Sequence, residues 1–158
     1  ARTDQQVRPQ AKGAPMNVAT ILRNKGNAIE TIRPDMSVSE ACPLLTELGI
    51  GSLVVSTDGR QVEGIISERD VIRHLARVGA DILDLRISEI MIRDVVTCTS
   101  EDNIAHLMET MTEHRIRHLP VVQDGTLIGL VSIGDVVKHR IRETEQEAEA
   151  LKAYIATG

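Results

Sequence analysis

Hydrophobic and polar positions follow the same order twice along this chain. The first copy has a stretch with apolar residues at helical spacing, which predicts a buried stripe formed by Val38, Ala41, Leu45 and Leu48. Two short apolar runs of strand type follow, at 52–56 and 62–67, and Asp58-Gly59 between them is a hairpin signal. With a short extended piece in front and a second helix at 68–78, the order becomes β-α-β-β-α.

The second copy repeats this order residue by residue. Residues 29–74 align with 95–139 at an offset of 66 as far as Arg60, and of 65 after a one-residue gap at Gln61. The matches include Thr31 with Thr97, Leu53 with Leu119, Asp58-Gly59 with Asp124-Gly125, Ser67 with Ser132, and Asp70 with Asp135. So many matches in one order indicate a tandem duplication. We therefore expect an α+β (α/β) fold in which two β-α-β-β-α units pack as a pseudo-two-fold pair, because neither unit buries its apolar face alone.

Local signals add detail to the helices. Ser37 and Glu40 form the pattern of a capping box at the start of the first repeat helix, and Asn17 is placed to cap a short helix over 18–25. Pro43 removes a backbone donor inside the first repeat helix, so we expect a kink there.

The chain divides into five segments by these patterns. They are a disordered tail at 1–16, a first repeat with its leading helix at 17–75, a linker at 76–94, a second repeat at 95–141, and a C-terminal helix at 142–158. The linker is apolar enough to pack through Ile87, Ile90 and Met91. A seam in the C-terminal helix, formed by Ile141, Thr144, Ala148, Leu151 and Ile155, alternates steps of three and four residues. That spacing suits either a partner helix or the helix's own domain.

Composition and charge exclude several classes of function. The formal net charge is −5, and the chain has no Trp, no Phe and one Tyr, which argues against nucleic-acid binding. No run of apolar residues is long enough for a membrane span, and no signal-peptide pattern is present. Cys42 and Cys98 cannot form a disulfide framework, so we expect a reducing, cytoplasmic setting.

One motif occurs in both repeats and carries a family resemblance. GIISERD at 64–70 and GLVSIGD at 129–135 share a glycine, two apolar residues, a serine and an aspartate, and IRHLPVV at 116–122 is similar to the family's central strand. The duplicated unit resembles the CBS domain, which occurs as tandem pairs called Bateman modules, and here no catalytic domain accompanies it. The resemblance implies a non-catalytic sensor of adenosine-containing ligands, with AMP first and ADP, ATP or NAD(H) as alternatives. It also implies a homodimer and a regulated partner protein whose identity stays open.

The resemblance places two ligand clefts between the repeats. The cleft closed by Asp70 takes residues from both repeats: Ile65, Ser67, Arg69, Val95, Val96, Ile116, Arg117, His118 and Pro120. The cleft closed by Asp135 takes Leu130, Ser132 and Arg117 from the second repeat, and Ile29, Glu30, Ile50, Gly51 and Ser52 from the first. Gly134 stands where the first repeat has Arg69, so the second cleft carries less positive charge.

Plainer interpretations accompany these assignments. Each aspartate also suits a helix cap, or a pair with His74 or His139 four residues on. The Arg117 side chain is suited either to binding a phosphate or to facing solvent. No His or Cys spacing predicts a metal site, and His118 lacks the activated nucleophile that catalysis would need. The rival function is a ligand-free scaffold for dimerisation and protein interaction.

Overall fold

The computed structural model describes residues 16–26, 29–49 and 51–157. Within them, two small sheets and their helices form an α+β fold. The sheets contain β1 (Thr31–Ile32), β2 (Ser52–Val55), β3 (Gly64–Ser67), β4 (His118–Gln123) and β5 (Thr126–Ser132). The helices are α1 (Val18–Lys25), α2 (Val38–Glu47), α3 (Glu68–Val78), α4 (Ile87–Ile90), α5 (Ile104–His114) and α6 (Ile133–Thr157), with a 3-10 turn at Ala80–Asp84. The predicted tail lies outside the described residues up to position 15.

Each repeat builds one sheet. In the first, β1 pairs with β2 in parallel and β2 pairs with β3 antiparallel. In the second, β4 and β5 form an antiparallel pair, and the segment before α5 joins β4 through a parallel bridge between Cys98 and Val121. The duplication is also visible in the backbone, because the Gly51 carbonyl accepts the Glu68 N–H and the Arg117 carbonyl accepts the Ile133 N–H.

Helix α2 confirms most of its sequence pattern. Ser37 and Glu40 form the capping box, and Val38, Ala41 and Leu45 are buried. The prediction for Leu48 is wrong: Leu48 is 39 % exposed, because α2 ends at Glu47 and Leu48 is already its C-terminal cap. The helix continues through Pro43, whose ring lies on the exposed face.

The two Asp-Gly signals have different outcomes. Asp124 and Gly125 have φ values of 50° and 77°, and they form the two-residue turn between β4 and β5. Asp58 and Gly59 lie instead in a longer loop between β2 and β3. There the Asp58 carboxylate accepts the Gln61 and Arg60 N–H groups, which lowers the pKa of that carboxyl.

The two repeats interlock through helices that precede them. Asn17 caps α1 as predicted, but Val18, Ile21 and Leu22 pack into the core of the second repeat, not the first. The linker helix α4 packs into the core of the first repeat, through Ile87, Ile90 and Met91. Each short helix therefore crosses to the repeat that does not follow it.

Two glycines show why these crossings fit. A Cβ on Gly64 would lie 2.5 Å from Met91 Sδ, and a Cβ on Gly129 would lie 2.5 Å from Leu22 Cδ2. Both glycines open the repeated motif at equivalent positions. The space left by the missing side chain accommodates α4 in one repeat and α1 in the other.

Candidate functional site

The first repeated motif holds Asp70 at the start of α3. The Ser67 N–H and the Ser67 hydroxyl donate to Asp70 Oδ2 at 2.9 Å and 2.8 Å, and the Asp70 N–H donates to Ser67 Oγ at 3.2 Å. Asp70 is buried, with 6 % of its surface exposed. Asp70 therefore caps the helix, as one of the two interpretations expected. The cap uses Oδ2 of the carboxylate and not Oδ1, so the same side chain can also face a ligand.

The histidines four residues on contact the backbone. His74 Nδ1 lies 2.8 Å from the carbonyl oxygen of Asp70, and His139 Nδ1 lies 2.8 Å from that of Asp135. The alternative of a histidine–carboxylate pair is therefore not what the structure shows.

Asp70 borders a cavity of about 540 Å³ between the two repeats. This volume falls in the range of roughly 300–1,000 Å³ that is usual for small-molecule sites. The lining includes nine of the ten residues that the resemblance assigned to this cleft: Ile65, Ser67, Arg69, Asp70, Val95, Val96, Ile116, Arg117 and His118. We call this space the Asp70 cavity.

The charges around the Asp70 cavity are mixed. Arginines at 69, 73, 115 and 117 line it, together with His114 and His118, and the carboxylates are Glu68, Asp70 and Asp94. Arginine forms paired, charge-assisted hydrogen bonds with phosphate, whereas a carboxylate accepts hydrogen bonds from sugar hydroxyls. The apolar lining comes from aliphatic side chains such as Ile65, Ile92 and Ile116.

Some assigned residues lie elsewhere. Pro120 does not line the Asp70 cavity, because it is buried inside β4, opposite Leu130, and its carbonyl accepts the Cys98 N–H. The resemblance places Gly51 and Ser52 in the Asp135 cleft, but both line the Asp70 cavity. The Gly51 carbonyl accepts the Glu68 N–H in the first turn of α3, which holds this segment beside the cavity. Ile50 lies outside the described residues. Ile29 is half-buried and Glu30 is exposed, just before β1.

Asp135 has the same cap but a different neighbour. Ser132 N–H donates to Asp135 Oδ2 at 3.0 Å, and Lys25 Nζ lies 2.6 Å from the same oxygen and 2.8 Å from the Leu130 carbonyl oxygen. Burial alone would raise the pKa of Asp135, but the hydrogen bonds from Lys25 and Ser132 outweigh it and the pKa is lowered. Lys25 thus pairs with the aspartate of the second motif through the oxygen that also accepts the Ser132 N–H.

Sequence reasoning missed Lys25 and three basic residues of the Asp70 cavity. Arg73 follows Arg69 by one helical turn, and His114 and Arg115 come just before the Ile116 that was assigned. The signal for Lys25 was an earlier start of the internal alignment. Residues 17–22 match 86–91 in apolar spacing at an offset of 69, which sets Lys25 against Asp94.

Other kinds of site receive no support in the described residues. No group of three His, Cys, Asp or Glu side chains there is arranged to hold a metal ion. Cys98 is buried and its burial raises the pKa of the thiol to about 12, so the thiol stays protonated at neutral pH. None of the helices in this part of the chain combines the length and the apolar character needed to cross a membrane.

Comparisons with known proteins agree with this architecture. The sequence profile of the CBS domain matches twice, at residues 26–77 and 87–142. The chain is 34% identical over 149 residues to the CBS domain-containing protein CBSX3, mitochondrial, of Arabidopsis thaliana, covering 89% of this chain and 72% of that protein. The crystal structure of the CBS-domain containing protein ATU1752 from Agrobacterium tumefaciens is similar with a TM-score of 0.77 and 40% identity, covering 84% of this chain and 99% of that one.

A second similar structure was solved with ligands. The CBS domain pair of protein MJ0100, in complex with 5-methylthioadenosine and S-adenosyl-L-methionine, has a TM-score of 0.69 and 27% identity, and the match covers 78% of this chain and 98% of that one. The double profile match, the two interlocked repeats and the motif shared by residues 64–70 and 129–135 lead to one conclusion: the chain belongs to the CBS domain family and carries two CBS domains in tandem.

Proposed function

We propose that this chain is a non-catalytic sensor that binds one adenosine-containing nucleotide in the Asp70 cavity. The observation that carries the proposal is the position of a capped, 6 % exposed aspartate beside four arginines on a cavity of about 540 Å³. A ligand with a diol, a flat base and a phosphate matches that combination. The adenosine-containing ligands of protein MJ0100 support the same ligand class.

Each part of the ligand has a proposed contact. Asp70 accepts hydrogen bonds from the ribose diol, and backbone groups at 95–96 bind the adenine edge. Aliphatic side chains from both repeats, Ile65 and Ile116, pack on the two faces of the base. Arg69, Arg117 and His118 bind phosphate, with Arg73 and Arg115 within the same lining. AMP is the expected ligand, and ADP, ATP and NAD(H) extend further into the same basic region.

We propose one ligand per chain, not two. The Lys25 ammonium occupies Asp135 Oδ2 at 2.6 Å and is tied to a strand carbonyl as well. Because this ammonium already offsets the negative charge of the Asp135 carboxylate, that aspartate would attract a ribose diol less strongly than Asp70 does.

A thermal-shift panel separates the sensor from the ligand-free scaffold. A ligand present at 100 times its Kd stabilises the folded state by about 2.7 kcal/mol. The sensor proposal predicts a raised Tm with at least one of AMP, ADP, ATP and NAD(H), and none with GMP at the same concentration. A Tm that none of these adenosine nucleotides changes would favour the scaffold, and mass spectrometry of co-purified small molecules gives an independent check.

Self-association is part of the proposal. Apolar side chains are exposed at equivalent positions of α3 and α6: Ile72 is 65 % exposed and Val137 is 41 % exposed. Leu75, Val78 and Ile141 extend the same faces, with exposures of 42 %, 62 % and 54 %. A second copy that covers both faces would bury them together and form a homodimer. The regulated partner protein remains to be identified by co-purification.

A cytoplasmic location completes the proposal. Cys42 and Cys98 are both free thiols, as a reducing compartment requires. Fractionation of cells that express the tagged chain tests this location directly.

A further inference from the structure

Helix α6 extends well past the domain that it caps. It runs for 25 residues from Ile133 to Thr157, about 37 Å at 1.5 Å per residue. Its first turns are anchored, since Val136 and His139 are buried and Glu143 accepts the Met16 N–H. From Thr144 to Thr157 every residue is exposed. The seam therefore does not pack on its own domain.

The exposed apolar residues form one continuous stripe. Starting at Val137, the seam advances by alternating steps of four and three residues through Ile141, Thr144, Ala148, Leu151 and Ile155. Ile141, Leu151 and Ile155 are 54 %, 60 % and 69 % exposed. At its start the stripe joins a shallow apolar groove of about 530 Å³ that Val137 and Ile141 help to line. A sustained 3.5-residue repeat is the spacing of a two-helix coiled coil.

Charges flank the stripe in a self-complementary order. If Ile141 is heptad position a, the e positions are Lys138, Glu145 and Lys152, and the g positions are Arg140, Glu147 and Tyr154. In a parallel pair, each g residue faces the e residue of the next heptad on the other helix. Arg140 then meets Glu145 of the second copy, and Glu147 meets Lys152 of the second copy.

The antiparallel arrangement reverses this advantage. When Ile141 pairs with Leu151 of an antiparallel second copy, e positions face e positions and g positions face g positions. Lys138 then faces Lys152 of the second copy, and Glu145 faces Glu145 of the second copy.

We propose that the C-terminal half of α6 pairs in parallel and in register with the same helix of a second copy, as a short coiled coil. The inference rests on the proposed self-association, because so short a coil with Thr144 and Ala148 in its seam needs the α3 and α6 faces to bring the helices together.

Two ion pairs within the chain decide which of the two proposed pairs between copies is the better one to test. Arg140 bonds Glu143, whose side chain is only 12 % exposed, so this arginine already has a partner. Lys152 lies 4.0 Å from Glu149, and both side chains are more than three-quarters exposed. The Glu147–Lys152 pair is therefore the better reporter of contacts between two copies.

Disulfide trapping tests the register directly. Leu151→Cys is made in a Cys42→Ala background, and Glu149→Cys, on the outer face of the same helix, is the matched control. Cys98 is buried and stays protonated at neutral pH, so it does not compete. Under mild oxidation we expect Leu151→Cys to form a covalent dimer at least tenfold faster than Glu149→Cys.

Other outcomes overturn specific parts. If light scattering shows a dimer but the two variants cross-link equally slowly, the coiled coil is wrong and the dimer through the helix faces stands. Cross-linking only in the double variant Ile141→Cys/Leu151→Cys would overturn the parallel orientation. A monomer in light scattering would overturn the self-association on which the inference rests.

Charge exchange supplies a second test in the Leu151→Cys background. Glu147→Lys and Lys152→Glu should each slow cross-linking severalfold, because each sets like charges opposite one another. The double variant Glu147→Lys/Lys152→Glu should restore the rate, since the pair is re-formed with reversed polarity. Single variants that cross-link at the unchanged rate, or a double variant slower than both, would contradict the parallel pairing.

Discussion

Replacing Asp70 with Asn separates its two roles at one position. The asparagine side chain keeps an oxygen that can accept the Ser67 N–H and hydroxyl, so the cap of α3 is retained. The negative charge that the ribose diol would meet is lost. Because Asn and Asp are about equally good at capping a helix, we expect only a small change in the stability of the fold.

The effect on affinity follows from the charged hydrogen bond. A hydrogen bond to a charged group contributes about 1.5–3 kcal/mol. At about 1.4 kcal/mol for each factor of ten, Asp70→Asn should weaken AMP binding by roughly 10-fold to 150-fold. Because adenosine shares the ribose, it should lose about the same factor. Isothermal titration calorimetry with AMP and with adenosine measures both.

The duplicated motif provides a matched control. Asp135→Asn removes the same charge from the same cap, but there the lost contact is the Lys25 ion pair, with side chains 36% and 24% exposed. A partly exposed pair of this kind contributes about 0–1 kcal/mol to stability. AMP affinity should be unchanged in Asp135→Asn. If Asp135→Asn weakened binding and Asp70→Asn did not, the assignment of the ligand to the Asp70 cavity would be refuted.

Four further predictions cover phosphate, acid, assembly and thiol chemistry. Arg117→Ala should weaken AMP binding steeply, leave adenosine binding nearly unchanged and flatten the salt dependence of AMP binding. If calorimetry showed that AMP and adenosine lose the same factor in affinity, the phosphate would not bind at Arg117. The lowered pKa of Asp135 means that its contribution to stability is present above the unfolded-state pKa and is lost as pH falls through the folded-state value. Lys25→Met should thus be less stable than the wild type in urea at pH 7, by a difference that shrinks below about pH 4; a constant difference at both pH values would contradict this. Light scattering at micromolar concentration should give a mass of about twice 17.3 kDa. Ile72→Asp should shift this mass towards that of the monomer, and an unchanged mass would contradict a dimer interface that includes Ile72. In the native state a thiol reagent should modify Cys42 well before Cys98, because Cys98 is 5 % exposed and its pKa is raised to about 12; equal rates by mass spectrometry would show that the second core opens readily.

The repeat order and its local signals could be predicted because they depend on neighbouring residues. The capping box at Ser37 and Glu40 and the tight turn at Asp124-Gly125 are decided within four residues, and both form as expected. The prediction for Leu48 is wrong at a helix boundary, since the apolar spacing continues one residue past the end of α2 at Glu47. The loop at Asp58-Gly59 differs from the tight turn at Asp124-Gly125 because the Asp58 carboxylate, and not the backbone of a neighbouring strand, accepts the N–H groups of Arg60 and Gln61.

The crossing of the short helices could not be predicted from the repeat alone. An internal alignment shows which residues are equivalent, but not which copy they pack against. Leu22 and Met91 fill the space above Gly129 and Gly64 in the opposite repeat. This crossing brings Lys25 to Asp135, whereas the equivalent Asp94 lines the Asp70 cavity. Part of the difference between the two clefts therefore comes from tertiary packing, which an internal alignment does not show.

The most direct test of the account is a crystal structure of the chain grown or soaked with AMP. We predict difference density for one nucleotide per chain in the Asp70 cavity, with the ribose diol within hydrogen-bond distance of Asp70 and the phosphate on the arginine side. Lys25 should remain on Asp135. Density for the nucleotide at Asp135 with Lys25 displaced, and none at Asp70, would contradict the central claim.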